Sequence, residues 1–111
     1  RDAGGGRASG TGTREGKAMT VKFFAYLRDP GYAGCKELQM PAPDTVRTLG
    51  EQLSHRFGPK FRGEFFSPAG DQLGERIIVM VNGRRVEFLD GADTPLRETD
   101  TVQIFPVVAG G

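Results

Sequence analysis

Ile77-Ile78-Val79-Met80-Val81-Asn82-Gly83-Arg84-Arg85-Val86-Glu87-Phe88 is the stretch that decides the fold. Five β-favouring apolar residues run into Asn-Gly, the dipeptide that best supplies the positive-φ positions of a two-residue hairpin turn. The predicted hairpin pairs Ile77 to Val81 with a return strand from Arg84 to Phe88.

Downstream, Asp90-Gly91 turns the chain and Thr94-Pro95-Leu96 suits a short helical turn. Thr101 to Phe105 then forms a last strand with Val102 and Ile104 inward. Upstream, Lys60 to Glu75 carries Phe61, Phe65 and Phe66, but Gly63, Pro68, Gly70 and Gly74 interrupt it, which predicts a loop with one helical turn. Before it, Asp44 stands at the N-cap position of a helix whose Val46, Leu49, Leu53 and Phe57 form one apolar stripe, closed by Gly58-Pro59. The first strand, Val21 to Leu27, puts Val21, Phe23, Ala25 and Leu27 on a core face and Lys22, Phe24 and Tyr26 on the other. Asp29-Pro30-Gly31 turns it into a second strand, Lys36 to Met40, with Leu38 and Met40 at strand spacing, ended by Pro41 and Pro43.

The resulting order, β-β-α-β-β-β, predicts an α+β protein of β-grasp (ubiquitin-like) type. One main helix crosses one face of a mixed sheet, and the first and last strands are central neighbours. Phe24, Tyr26, Gln103 and Phe105 then fall on the open face. Aromatic residues there either dock a partner or, with the register displaced by one residue, turn into the core.

At 111 residues the chain is long enough for one core without disulfide or metal support. Residues 1–18 hold Gly, Ser, Thr and charges without Val, Ile, Leu or Phe, and read as a disordered or added leader, with Met19 as the native start. The expected organisation is this leader, a domain over residues 19–105, and a flexible tail over 106–111. No secretory or membrane-crossing pattern is present, so a cytoplasmic location is expected. The formal charge of +1 comes from the leader; residues 19–111 carry 11 basic and 12 acidic groups, which leaves no basic excess for nucleic acid. A single cysteine, Cys35, excludes an internal disulfide and a cysteine-based metal cluster. It reads as a half-buried filler near a hairpin rather than a transfer thiol, and His55, off the helix stripe, reads as an exposed residue rather than a base. Arg84-Arg85 could dock an acidic partner or an AMP phosphate, and the acidic run Asp90, Asp93, Glu98 and Asp100 could steer a basic partner, but both read more simply as ordinary solvated charges.

The last strand leads into Pro106-Val107-Val108-Ala109-Gly110-Gly111. Glycines without Cβ atoms let a backbone enter a slot too narrow for other residues, and six extended residues reach about 20 Å. A carboxylate carried on such a tail can enter another protein's active site, although a frayed end is the ordinary reading of two terminal glycines.

Over residues 19–111, essentially the whole folded part, the chain resembles the MoaD/ThiS family of ubiquitin-like sulfur carriers. The matching features are the opening strand, Asp44-Thr45-Val46 with Leu49 and Leu53, Val81-Asn82-Gly83, and Asp93-Thr94-Pro95-Leu96. The most specific is the ending Phe105-Pro106-Val107-Val108-Ala109-Gly110-Gly111, similar to the family's Phe-Pro-Pro-Val-x-Gly-Gly with Val107 in place of the second proline. The extra length near Phe61 to Glu75 resembles MoaD and the MoaD-like small archaeal modifiers more than ThiS.

The resemblance implies that an E1-like adenylating enzyme of MoeB/ThiF type activates the Gly111 carboxylate with ATP and that sulfur from a donor protein then gives a thiocarboxylate. An α-carboxylate with a pKa of about 3.5 resists attack until its oxygen becomes a leaving group, so activation is chemically required. On this reading Gly110 and Gly111 carry the chemistry, Pro106, Val107, Val108 and Ala109 thread the tail, and Phe24, Tyr26 and Phe105 dock the body. The chain is a non-catalytic carrier with no bound cofactor or metal, most simply the small subunit of molybdopterin synthase with a MoaE-like large subunit as partner. Competing readings are a modifier joined to lysines through Gly111, a carrier for another pathway such as thiamine, and an interaction module whose Gly-Gly is incidental.

Overall fold

The computed structural model describes residues 18–107. A mixed five-stranded sheet carries two helices on one face. Its strands are β1 (Met19–Phe23), β2 (Glu37–Met40), β3 (Ile77–Val81), β4 (Arg84–Arg85) and β5 (Thr101–Pro106); the helices are α1 (Val46–Phe57) and α2 (Pro59–Phe65). The strand order is β2-β1-β5-β3-β4, with β1 and β5 parallel at the centre and the other pairs antiparallel. This is the predicted β-grasp arrangement, with a second helix added.

Alternation builds the core. Met19, Val21 and Phe23 of β1, Val102 and Ile104 of β5, and Ile77, Val79 and Val81 of β3 are buried on the helix side. They meet Val46, Leu49 and Leu53 of the α1 stripe, while Phe57 is half-buried at its end. Thr45, rather than Asp44, caps α1: its side chain accepts the Thr48 N–H at 3.3 Å. The Asp44 carbonyl instead accepts the Leu96 N–H, part of the short bridge that ties Thr45 to Pro95.

The first strand ends sooner than its alternation implies. Ala25 takes a positive φ of 54° and is exposed, and Ala25–Arg28 forms a 3-10 helix that brings Leu27 into the core from a turn. Tyr26 therefore leaves the sheet face.

The stretch after Gly58 is also more regular than its glycines suggest. Gly58 at φ 104° ends α1, and Pro59 then opens α2, where its missing N–H is harmless. Phe61, Phe65 and Phe66 are all buried, so α2 is held by aromatic packing against α1 rather than by propensity. Gly50 allows that approach, since a Cβ there would lie 2.2 Å from the Phe65 ring.

The Asn82-Gly83 hairpin forms, but its return strand spans only Arg84–Arg85. The chain then winds into a 3-10 helix, Val86–Phe88, because Val86 turns into the core, at 1% exposure. A further 3-10 helix covers Gly91–Asp93, earlier than the turn predicted at Thr94 to Leu96.

Candidate functional site

The apolar end of the open sheet face lies where β5 leaves the fold. Strand β5 places Val102 and Ile104 in the core and so presents Thr101, Gln103 and Phe105 to the other face. The parallel register Phe23↔Ile104 continues into a bond from the Phe24 N–H to the Ile104 carbonyl at 3.2 Å. Phe24 thereby stacks on Phe105, with ring centroids 4.3 Å apart and planes 14° from parallel. On the other flank Ile78 sits opposite Phe105. The result is a half-buried apolar row, Phe24, Phe105 and Ile78, followed along the face by the row Lys22, Gln103, Met80 and Arg85.

The backbone is hydrogen-bonded through Val107. Pro106 pairs with Ile77, and the Val107 N–H donates to the Arg76 carbonyl at 2.7 Å. The Val107 side chain is 39% exposed. The other tail residues singled out from sequence, Val108, Ala109, Gly110 and Gly111, lie outside the described residues.

Tyr26 is not part of this row. Its hydroxyl donates to Glu64 of α2 at 2.7 Å and its ring lies 5.2 Å from that of Tyr32. Burial, followed by the hydrogen bond to the Glu64 carboxylate, pushes its phenol up from 10.0 to about 12. Its visible work is to fasten the 3-10 helix Ala25–Arg28 to α2. Ile78 and Met80 are the face residues that sequence reading passed over. Their signal was the unbroken apolar run Ile77 to Val81, which leaves apolar side chains on both faces of β3.

Cys35 is half-buried against the core and His55 is exposed on α1. Arg85 pairs with Glu87, and that ion pair holds the Glu87 carboxyl below its usual range. Arg47 joins α1 to Asp93 at 3.1 Å and to the Asp71 carbonyl. Among the described residues no group of three or more His, Cys, Asp or Glu side chains could hold a metal ion, and no helix is long and apolar enough to cross a membrane.

A mixed-sheet β-grasp body whose last strand is paired as far as Pro106 and carries an aromatic stack on its open face defines a ubiquitin-like protein. The ThiS family model matches residues 21–111, and the chain belongs to that family of ubiquitin-like sulfur carriers and modifiers. It is 32% identical over 98 residues to small archaeal modifier protein 3 of Haloferax volcanii, spanning 84% of this chain and 98% of that protein. Its fold superposes with a TM-score of 0.71 on a chain of the Amycolatopsis orientalis BexX/CysO complex, at 28% identity over 85% of this chain and 100% of that one. A candidate molybdopterin converting factor subunit 1 from Pyrococcus furiosus is similar at a TM-score of 0.61 and 31% identity, covering 82% of this chain and 98% of that chain.

Proposed function

We propose that this protein is a sulfur carrier in molybdopterin biosynthesis whose working group is the Gly111 carboxylate. The observation that carries the reading is the family match running through Gly111, and the Phe24–Phe105 stack near the end of β5 supports it. The carboxylate attacks the α-phosphate of ATP in an E1-like enzyme, and pyrophosphate leaves. Sulfide-level sulfur then attacks the acyl carbon of the adenylate, AMP leaves, and the thiocarboxylate remains. A large synthase subunit with a pterin pocket is the acceptor's partner. Phe24 and Phe105 seat the body on these partners in turn, and Pro106 to Ala109 cross into the pocket. The Pyrococcus relative supports the molybdopterin assignment.

Intact-mass spectrometry tests this after incubation with ATP, the E1-like enzyme of the same organism and a sulfur source. The expected result is exchange of one oxygen for sulfur, absent when Gly111 is deleted. No exchange with a demonstrably active enzyme overturns it.

The likeness to small archaeal modifier protein 3 favours a second reading, in which the same acyl-adenylate is passed to a lysine amine. Isopeptide adducts in cells, lost on Gly111 deletion, are its expected mark.

A further inference from the structure

The side chain that the function leaves unexplained is Phe88. It is 78% exposed, and Leu89 beside it is 36% exposed. With Val107 at the tail exit, these are the large exposed hydrophobic residues of the described part. Phe88 is not out in solvent on a loose loop. The 3-10 helix that carries it is pinned by buried Val86, and the Leu89 N–H donates to the Val86 carbonyl at 2.9 Å. Burying Val86 on one side of so short a turn forces Phe88 out on the other.

Phe88 and Leu89 share a shallow groove with Met80, Gly83, Arg84 and Arg85. Its only charged lining groups are cations. Arg84 pairs with no carboxylate among the described residues, and Arg85, paired with Glu87, also lies 5.9 Å from the Phe88 ring centroid. Met80 belongs both to this groove and to the open sheet face, so the groove is continuous with the surface that carries Phe24 and Phe105. Area argues in the same direction. A stable protein interface takes about 800 Å² from each partner. Two half-buried aromatic side chains offer roughly 200 Å² between them. A partner seated on the stack must reach further across the sheet, and the exposed apolar surface in that direction is Phe88.

We infer that the Phe88 groove is a second anchor for the adenylating enzyme, taking an apolar side chain flanked by carboxylates that meet Arg84 and Arg85. This rests on the carrier reading for the partner's identity. An aromatic anchor ringed by arginines concentrates binding energy in few residues and excludes water around them.

The test measures the dissociation constant between the full chain and the E1-like enzyme of the same organism by calorimetry, without ATP. It uses the wild type, Phe88→Ala and Arg84→Glu, each checked for unchanged thermal unfolding. The expected result is binding weakened at least tenfold by either substitution, with an additional salt dependence lost in Arg84→Glu. Unchanged affinity in both variants overturns the inference, as does failure of the wild type to bind. Binding that needs Phe88 while Gly111 is never thiocarboxylated supports the anchor and overturns the sulfur-carrier reading separately.

Discussion

Phe24 and Phe105 stack at 4.3 Å although 81 positions of sequence separate them, because β1 and β5 run parallel at the centre of the sheet. Phe24 lies one residue beyond the end of β1 and Phe105 one residue before the end of β5, so the stack marks the edge of the sheet at which β5 ends.

Phe105→Ala removes half of that stack and part of the row with Ile78. Aromatic pairs contribute about 0.5–1.5 kcal/mol beyond area burial, so unfolding stability falls modestly while affinity for the adenylating enzyme falls at least tenfold. Urea unfolding and calorimetric binding measured on one preparation separate the two effects. A variant that loses stability but binds like the wild type removes the stack from the docking surface.

Gly50→Ala sets helix propensity against packing. Propensity alone predicts a gain of about 1 kcal/mol for alanine in a helix interior. Here the new Cβ would lie 2.2 Å from Cε1 of Phe65 and 2.7 Å from Cζ of Phe66, both buried. The expected outcome is a net loss of about 1–3 kcal/mol in urea denaturation, the range for overpacked cores.

Thr45→Ala leaves the Thr48 N–H without its cap and costs about 1 kcal/mol. Asp44→Ala, one position earlier, leaves that cap and the Asp44 carbonyl intact and changes thermal unfolding far less. Equal losses in the two variants would return the cap to Asp44.

Tyr26 gives a signature at high pH. Its phenol is raised from 10.0 to about 12, so the folded protein holds this proton more tightly than the unfolded chain. The associated stability is fully present below pH 10 and disappears as the pH climbs through 12. Phenolate absorbance should show one of the two tyrosines titrating late, and Tyr26→Phe should flatten the loss of stability over that window.

Much of the architecture was legible because its signals are local. The Val46, Leu49, Leu53 stripe, the Asn82-Gly83 turn and the inward Val102 and Ile104 each follow from a fixed periodicity or a turn preference acting within a few residues. The departures share one cause, which is that a distant partner decided the backbone. Ala25 leaves the extended conformation where Leu27 must reach the core from a turn, and β4 stops after two residues because Val86 is taken inward. Helix α2 and its C-cap bury Phe61, Phe65 and Phe66 against α1 and its Gly50, an arrangement that local propensities do not encode.

The candidate site divides in the same way. The family was legible from the letters alone, because the motif ending in Gly110-Gly111 is written in consecutive residues. Alternation along the first and last strands also placed Phe24 and Phe105 on the open face, but only tertiary structure decided which other aromatic residues join them. It bound Tyr26 to Glu64 and pushed Phe88 into solvent, since both sit in 3-10 turns where side-chain direction follows the turn of the backbone rather than the alternation of the letters.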